Sequence, residues 1–432
     1  MKKSLLTVLL VAVVLTAILA VPFASAAPKT ITFWHYMVDR NDLLQSFAQQ
    51  YEKATGVKVD VQLFPGDQDV EKKVEAAIQA GTAPDIYTSN GSADPVKIEG
   101  KARWIKAGGM LNLDKYVTGA WRKNYIPSLL SNISFASGNQ YGVEPGLYGL
   151  PLDSVNMQIL YNKELFQKAG LDPNRPPKTW AQFIAAGKKL KAAGITPFAG
   201  GFGTWLGISI WEVYAWNIMG EKGMIQAQNN GKRFTDKNWV KTFQIFADMR
   251  DAGMYADGMA TWDNPDAERL FAQEKVAMLY DGSWGIGVIK SANPNLVPKV
   301  GAFLPPSAGR YPQYIQGGYG VVLAVNAVSP NKDEAINFLK WLTAPEQQAQ
   351  YAKTSFNLPA SSEVTKKVKL DGGVGDFADD AGRIIPNVGL KGRGGDVDTE
   401  ITRGIQSIML KKKTPQQVVD DVNKIWAASL LK

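Results

Sequence analysis

The stretch ITFWHYMVDRNDLLQSFAQQYEKATGVKVDVQL, residues 31–63, decides how the rest of the chain is read. Ile31–Tyr36 opens with apolar and polar residues in alternation, the pattern of a strand. Asn41–Ala54 then places Leu43, Leu44, Phe47 and Tyr51 at helical spacing, and Gly56 is its stop. Val57, Val59, Val61 and Leu63 alternate with polar residues, which predicts a half-buried strand. Strand, helix and strand in this order form a βαβ unit and imply a mainly parallel sheet.

Outward from that unit the alternation continues. Val70–Ala80 reads as a helix stopped by Gly81, and Asp85-Ile86-Tyr87 as a short strand. The middle is helix-rich. Trp180–Ala193 is amphipathic, capped by Thr179 and ended by Gly194, and Asn238–Ala252 ends at Gly253. Val276–Tyr280 is strand-like and precedes Asp281-Gly282-Ser283-Trp284. Tyr319–Val325 reads as one strong strand before the helix Lys332–Leu342, and Pro345 begins another helix. The end of the chain predicts helices at Val397–Leu410 and Pro415–Leu430, the latter with Pro in its first turn. No internal repeat is visible.

Length and composition narrow the function classes. A chain of 432 residues fits two domains and a core that needs no staples. Apolar and charged fractions of 45% and 20% are ordinary for a globular protein. Lys2 and Lys3, an apolar run from Leu5 to Val21 and Ala24-Ser25-Ala26 form a secretory leader over residues 1–26, either cleaved or retained as an anchor. No later stretch approaches the roughly 20 apolar residues of a membrane span. The sequence has no Cys, which removes disulfides, thiolate metal sites and Cys nucleophiles. With His35 as its one His, a His-built zinc site or a Ser-His-Asp triad has little to draw on. The net charge of +8 rests on short clusters such as Lys411-Lys412-Lys413, which read as a solvated helix end and not as a nucleic-acid patch.

Several segments, in order, carry a family resemblance. They are Ile31-Thr32-Phe33-Trp34, then Ala80-Gly81-Thr82-Ala83-Pro84-Asp85-Ile86, then Tyr148-Gly149-Leu150-Pro151-Leu152 followed by Leu160-Tyr161-Asn162-Lys163-Glu164-Leu165-Phe166. Ala169-Gly170-Leu171, Pro177-Lys178-Thr179-Trp180, Ala277-Met278 with Gly282-Ser283-Trp284, and Ser329-Pro330-Asn331-Lys332 complete the set. Together they resemble the family 1 extracellular solute-binding proteins of ABC sugar importers, the maltose-binding-protein-like group. The chain departs from that pattern in lacking a lipid-attachment Cys.

The resemblance implies an α/β, two-lobed periplasmic-binding-protein fold, each lobe a mixed sheet flanked by helices, joined by hinge crossings. It places the crossings near Asp153–Gln158, Gln316–Val321 and Phe356–Glu363. Lobe one is expected over residues 28–153 and 321–356, and lobe two over 157–316 and 362–432. It further implies a protein exported to the periplasm or the outer face of the cytoplasmic membrane. There it would bind a carbohydrate, an oligosaccharide given 12 Trp residues, and deliver it to the membrane permease by hinge closure. Monomeric state, no nucleic acid, no cofactor, no metal and no catalytic residue belong to the same expectation. A glycerol-phosphate-type ligand on the same fold, a secreted glycoside hydrolase with two flanking carboxylates and a surface lectin without a transporter are the alternatives.

A sugar needs aromatic faces for its C–H surfaces and polar groups for its hydroxyls. Binding clefts in open α/β sheets lie beyond the carboxyl ends of the strands. Both criteria select Trp284, with Asp281 in the same motif, and in resembling proteins that Trp stacks on sugar. They select Trp34, His35 and Asp39 at the end of the first strand, with Asp39 accepting from hydroxyls. Asn90, with Ser89 and Asp94, follows the expected strand Asp85–Tyr87, whose Asp85 reads as structural. Asp153 and Asn156 lie at the first crossing, at the expected floor of the cleft, and Tyr319 lies among glycines at the second. Trp205 sits in the Gly-rich loop Gly200–Gly207; Trp216 follows, and one of Trp211 and Trp216 is expected in the core. Trp262 with Asp263 and Asn264 forms a further aromatic-polar cluster, and Arg393 between glycines is a weaker candidate.

Overall fold

The computed structural model describes residues 29–90, 95–139, 141–229, 234–367, 375–377, 383–385 and 395–429. The expected leader at residues 1–26, Asp94 and Arg393 lie outside the described residues.

The opening stretch forms β1 (Thr30–His35), a 3-10 turn at Val38–Arg40, α1 (Asn41–Thr55) and β2 (Lys58–Leu63). Gly56 adopts a left-handed backbone with φ of 76° and ends α1, the conformation that glycine takes without a Cβ penalty. After α2 (Asp67–Ala80) comes β3 (Ile86–Asn90) and then α3 (Pro95–Lys106). Ser89 and Asn90 are therefore the last residues of β3 and not, as the sequence implied, part of the loop beyond it. β1 lies parallel to both β2 and β3. A two-strand pair of β4 (Ser134–Phe135) and β5 (Gly146–Leu147) follows, then β6 (Leu150–Pro151) and β7 (Asp153–Asn162).

The first sheet has the order β2-β1-β3-β12-β6, where β12 is Val321–Val325. Alternation along β1 sends Ile31 and Phe33 to one face and Trp34 to the other. On the first face Leu44, Phe47 and Tyr51 of α1 meet Phe338 and Leu339 of the helix Lys332–Leu342. On the second face Val70 and Val74 of α2 pack with Tyr87 and Trp104.

The second sheet runs β10-β7-β9-β8, with β8 at Thr196–Ala199, β9 at Val276–Gly282 and β10 at Val300–Phe303. Its main helices are α4 (Trp180–Ala192), α5 (Trp205–Asn229), α6 (Asn238–Asp251), α7 (Asn264–Ala272) and α8 (Gly285–Ala292). The chain closes with α9 (Lys332–Leu342), α10 (Pro345–Ser355), α11 (Gly395–Met409) and α12 (Pro415–Ser429). Thr179 caps α4 in a reciprocal capping box with Gln182, as its position before the periodic run predicts. α5 is interrupted at Gly220. Trp211 packs among Phe234, Trp239 and Phe243, while Trp216 packs against Tyr314. Both indoles are fully buried, which corrects the expectation that only one belongs to the core.

β7 directly follows β6 of the first sheet and belongs to the second, where it also pairs with two short strands from later in the chain. Its Ser154 is flanked on one side by Tyr319 of β11 (Gly317–Tyr319) and on the other by Leu358 of β13 (Leu358–Pro359). The strand expected over Tyr319–Val325 is thus two: β11 pairs with β7, and β12 pairs with β3 of the other sheet. The division falls at Gly320. A Cβ there would lie 2.2 Å from Asp153 Oδ1, so no larger residue fits without displacing that carboxylate.

Asp153 is the tie at this junction. Its Oδ2 accepts from Arg40 Nη1 at 2.7 Å and from the Tyr351 hydroxyl at 2.6 Å. Its Oδ1 accepts from the Val321 N–H at 2.7 Å. Burial pushes the Asp153 carboxyl above its usual range, and the Arg40 guanidinium, Tyr351 and the Val321 N–H oppose that shift. Removing one partner of such a buried pair leaves the other charge uncompensated. Asp153→Ala is expected to lower stability by about 3–5 kcal/mol in urea unfolding; an unchanged midpoint would refute this role.

Candidate functional site

In the second sheet β8 runs parallel to β9, and β7 runs antiparallel to it. The ends of β8 and β9 and the start of β7 therefore meet on one edge, where the loops that follow β8 and β9 carry tryptophans. Gly203 N–H donates to Trp262 O at 2.8 Å, joining the glycine-rich loop to the loop before α7. A Cβ on Gly203 would lie 2.5 Å from the Thr261 carbonyl, so the two backbones approach this closely only because that residue is glycine.

This junction brings Trp205, Trp262 and Trp284 to one edge. Trp205 is the first residue of α5, not a loop residue as expected, and it is 52% exposed. Its ring centroid is 6.1 Å from that of Trp284, with the planes tilted by 46°. Trp284 is half-buried at the N-terminus of α8, and Trp262 is half-buried in its loop. The tryptophans thus offer exposed indole surface beside a buried polar layer.

That layer is built from α7 and β9. Asp263 caps α7 by accepting from Asp266 N–H. The cap orients the helix so that Asn264 and Glu268, one turn apart, face the same way. Asn264 Nδ2 donates to Glu268 Oε1 at 2.7 Å and to Asp281 Oδ1 at 3.1 Å. Trp284 Nε1 donates to Glu268 Oε1 at 3.2 Å. Burial raises the pKa of both carboxyls, and each acts on the other. Glu268 was not among the sequence candidates. Its signal was available in its spacing of four from Asn264 behind an Asp-Asn-Pro helix start, but nothing local said that this turn lies under Trp284.

Across from α8 stands the 3-10 turn that carries Asp39. A Cβ on Gly287 of α8 would lie 3.6 Å from Asp39 Oδ2 and 2.5 Å from Ser355 O of α10. Lys290 Nζ donates to Thr354 O at 3.2 Å and sits 4.2 Å over the Phe356 ring. The edge of the second sheet thereby faces the turn that follows β1.

The other candidates lie elsewhere. Trp34 packs edge-on to Phe64 at 5.0 Å, with Lys73 over both rings. His35 is wholly buried; burial lowers its pKa to about 4, and neither ring nitrogen finds a partner at hydrogen-bonding geometry, although Asn41 is near enough to oppose the shift. Asn90 ends β3 opposite Val321. Asp153 is occupied at the junction described above. Asn156 is fully buried and donates to Phe377 O at 2.6 Å. Tyr319 is 6% exposed in the first core. Trp216 presents no surface, so its reading as a contact gives way to packing. A separate hollow of ≈ 590 Å³, lined by long side chains such as Glu221, Lys222 and Gln226, contains none of these tryptophans. Among the described residues, no cluster of three or more His, Asp or Glu could hold a metal ion, and no helix is long and apolar enough to cross a membrane.

These features define a two-lobed α/β protein. Residues 36–349 match the family described as bacterial extracellular solute-binding protein, and the chain belongs to that family. It is similar to the sn-glycerol-3-phosphate-binding periplasmic protein of Brucella abortus, with 26% identity over 96% of this chain and 92% of that one. It is also similar to the multiple sugar-binding protein of Streptococcus mutans, with 25% identity over 79% of this chain and 76% of that one. Among solved structures, the ABC transporter solute-binding protein of Thermotoga lettingae bound with α-D-tagatose superposes with a TM-score of 0.74. It has 22% identity, over 92% of this chain and 100% of that one. The Thermus thermophilus maltotriose-binding protein gives 0.70 at 20% identity, over 93% and 100%.

Gly287→Ala would force a methyl group against Ser355 O. Overpacking of this kind is expected to destabilise the protein by about 1–3 kcal/mol in urea unfolding; a variant as stable as the parent would show that α8 and α10 can part without loss.

Proposed function

We propose that this protein binds a neutral carbohydrate, an oligosaccharide, outside the cytoplasm and presents it to the permease of an ABC importer. The observation that carries the reading is the pair of exposed Trp205 and half-buried Trp284 beside the Asn264, Glu268 and Asp281 layer. Indole faces suit the C–H surfaces of pyranose rings, and Trp262 extends that apolar surface. Asp39 across the gap supplies an acceptor for hydroxyls. The contact set is Trp205, Trp262, Trp284 and Asp39, with the end of β3 at Asn90 lining the opposite lobe.

The lobes comprise residues 28–153 with 321–356 and 157–316 with 362–432. The junction of β7, β11 and β13 serves as the hinge. Ligand favours closure by its greater affinity for the closed arrangement. The protein acts as a monomer, without nucleic acid, cofactor or chemical turnover.

A glycerol-phosphate ligand is the second reading, supported by the Brucella relative. Electrostatics favour the sugar. Glu268 feels the negative charges of Asp39 and Asp263, a field that opposes a phosphate dianion.

Thermal-shift screening against oligosaccharides, monosaccharides and glycerol phosphate should raise the melting point with an oligosaccharide, because a ligand that binds only the native state stabilises it. Trp284→Ala should then weaken that binding roughly tenfold, the scale of one lost aromatic contact, in a protein that still folds. A shift with glycerol phosphate alone, or unaltered affinity in the variant, would reject the sugar reading; release of cleavage products would reject simple binding.

A further inference from the structure

Glu268 is 6% exposed, and its Oε1 accepts from two side chains at once, the Trp284 indole and the Asn264 amide. Asn264 ties the second carboxyl to the same point, so that Glu268 Oε1 and Asp281 Oδ1 both lie within 3.1 Å of one nitrogen. Asp281 is wholly buried, and its Oδ2 has no hydrogen-bond partner. Two buried carboxyls this close do not both ionise, because each charge opposes the other where water cannot screen it.

The surroundings reinforce that restriction. Asp39 faces the pair from the 3-10 turn, and Asp263 from the cap of α7. Tyr280 lies beside Asp281 on β9, and its hydroxyl is engaged with Ser209 at 3.0 Å. From β7, Gln158 stands opposite Asp281 in the sheet register. From α8, Gly285 approaches so closely that a Cβ would lie 2.3 Å from Asp281 Oδ2. The Arg40 guanidinium behind Asp39 is turned to Asp39 and Asp153.

We propose that the Glu268–Asn264–Asp281 network retains a proton and clamps the Trp284 indole, making Glu268 a positioning residue whose ionisation tightens the aromatic platform. The inference rests on Trp284 serving as that platform. When Glu268 ionises, the N–H groups of Trp284 and Asn264 donate to a full negative charge, and such bonds are shorter and stronger. When it is neutral, the indole is held more weakly. Burial raises Glu268 to about 7, which places the change near neutrality. The sign for folding is opposite. A carboxyl raised in the native state adds stability at low pH, and that contribution is lost as pH rises through the folded value.

The test needs no ligand. In the full chain, the ¹⁵N-indole resonance that disappears in Trp284→Phe identifies Trp284. It should shift sigmoidally with pH, with a midpoint near 7, and the shift should vanish in Glu268→Gln, which keeps an acceptor but cannot ionise. A pH-independent indole resonance, or the same titration in Glu268→Gln, would overturn the proposal. Should Glu268→Gln fail to fold, the ¹³C-carboxyl resonance of Glu268 in the unmutated protein serves instead, and a midpoint at the ordinary glutamate value of about 4.3 overturns it. If the indole titrates while no sugar binds, the clamp stands and the carbohydrate reading falls. If sugar binds while the indole is unaffected by pH, the clamp falls and the carbohydrate reading stands.

Discussion

The carboxylate of Asp153 governs the architecture. It sits at the first residue of β7, where the chain passes from the first sheet into the second. Through Arg40 it reaches the turn after β1, through Tyr351 it reaches α10, and through the Val321 N–H it reaches β12. Those elements come from distant parts of the chain, and each would otherwise have a buried polar group to satisfy. A buried ion pair adds little net stability, because desolvation offsets most of the attraction. Its value here is geometric. The bonds are directional, and only one arrangement of these segments satisfies them all. The requirement for glycine at position 320 is the same constraint seen from the other side.

With that junction in place, the two sheets present comparable edges to one another. β1 and β3 end at the gap on one side, and β8 and β9 end there on the other. Turns that follow strand ends can carry any side chain, because they are not committed to a core. The second lobe uses this freedom for indoles and the first for Asp39. The Trp284 indole is not loosely hung, because its N–H is held by Glu268. Such fixing lowers the rotamer entropy lost when a ligand is bound.

The candidate site was partly legible in advance, and the reasons differ by residue. Trp284, Trp205 and Trp262 could be picked out because each lies within two residues of Gly, Asp or Asn where a periodic segment begins or ends. Trp34 also lies near the end of a periodic segment, yet it packs beneath Lys73 and Phe64, because α2 covers that face of β1. Asp153 and Asn156 looked like cleft-floor groups and are instead engaged by Arg40 and by Phe377 O. A polar residue near a hinge can satisfy a ligand or the hinge itself, and its own identity does not say which. Arg40, Tyr351 and Glu268 drew no notice because their partners lie far away in the chain or on another face.

Periodicity and stop residues alone determined the βαβ opening, the helix-rich middle and most element ends, since these depend on neighbours within one or two turns. Gly56, Gly81 and Thr179 mark boundaries through backbone conformation and local hydrogen bonds, and they do so wherever the segment lies. Tertiary structure decided the rest. It divided the stretch around Gly320 between two sheets, buried both Trp211 and Trp216, and placed a carboxyl pair under Trp284. Those outcomes turn on which surfaces meet across long chain separations, and that information resides in the packed whole.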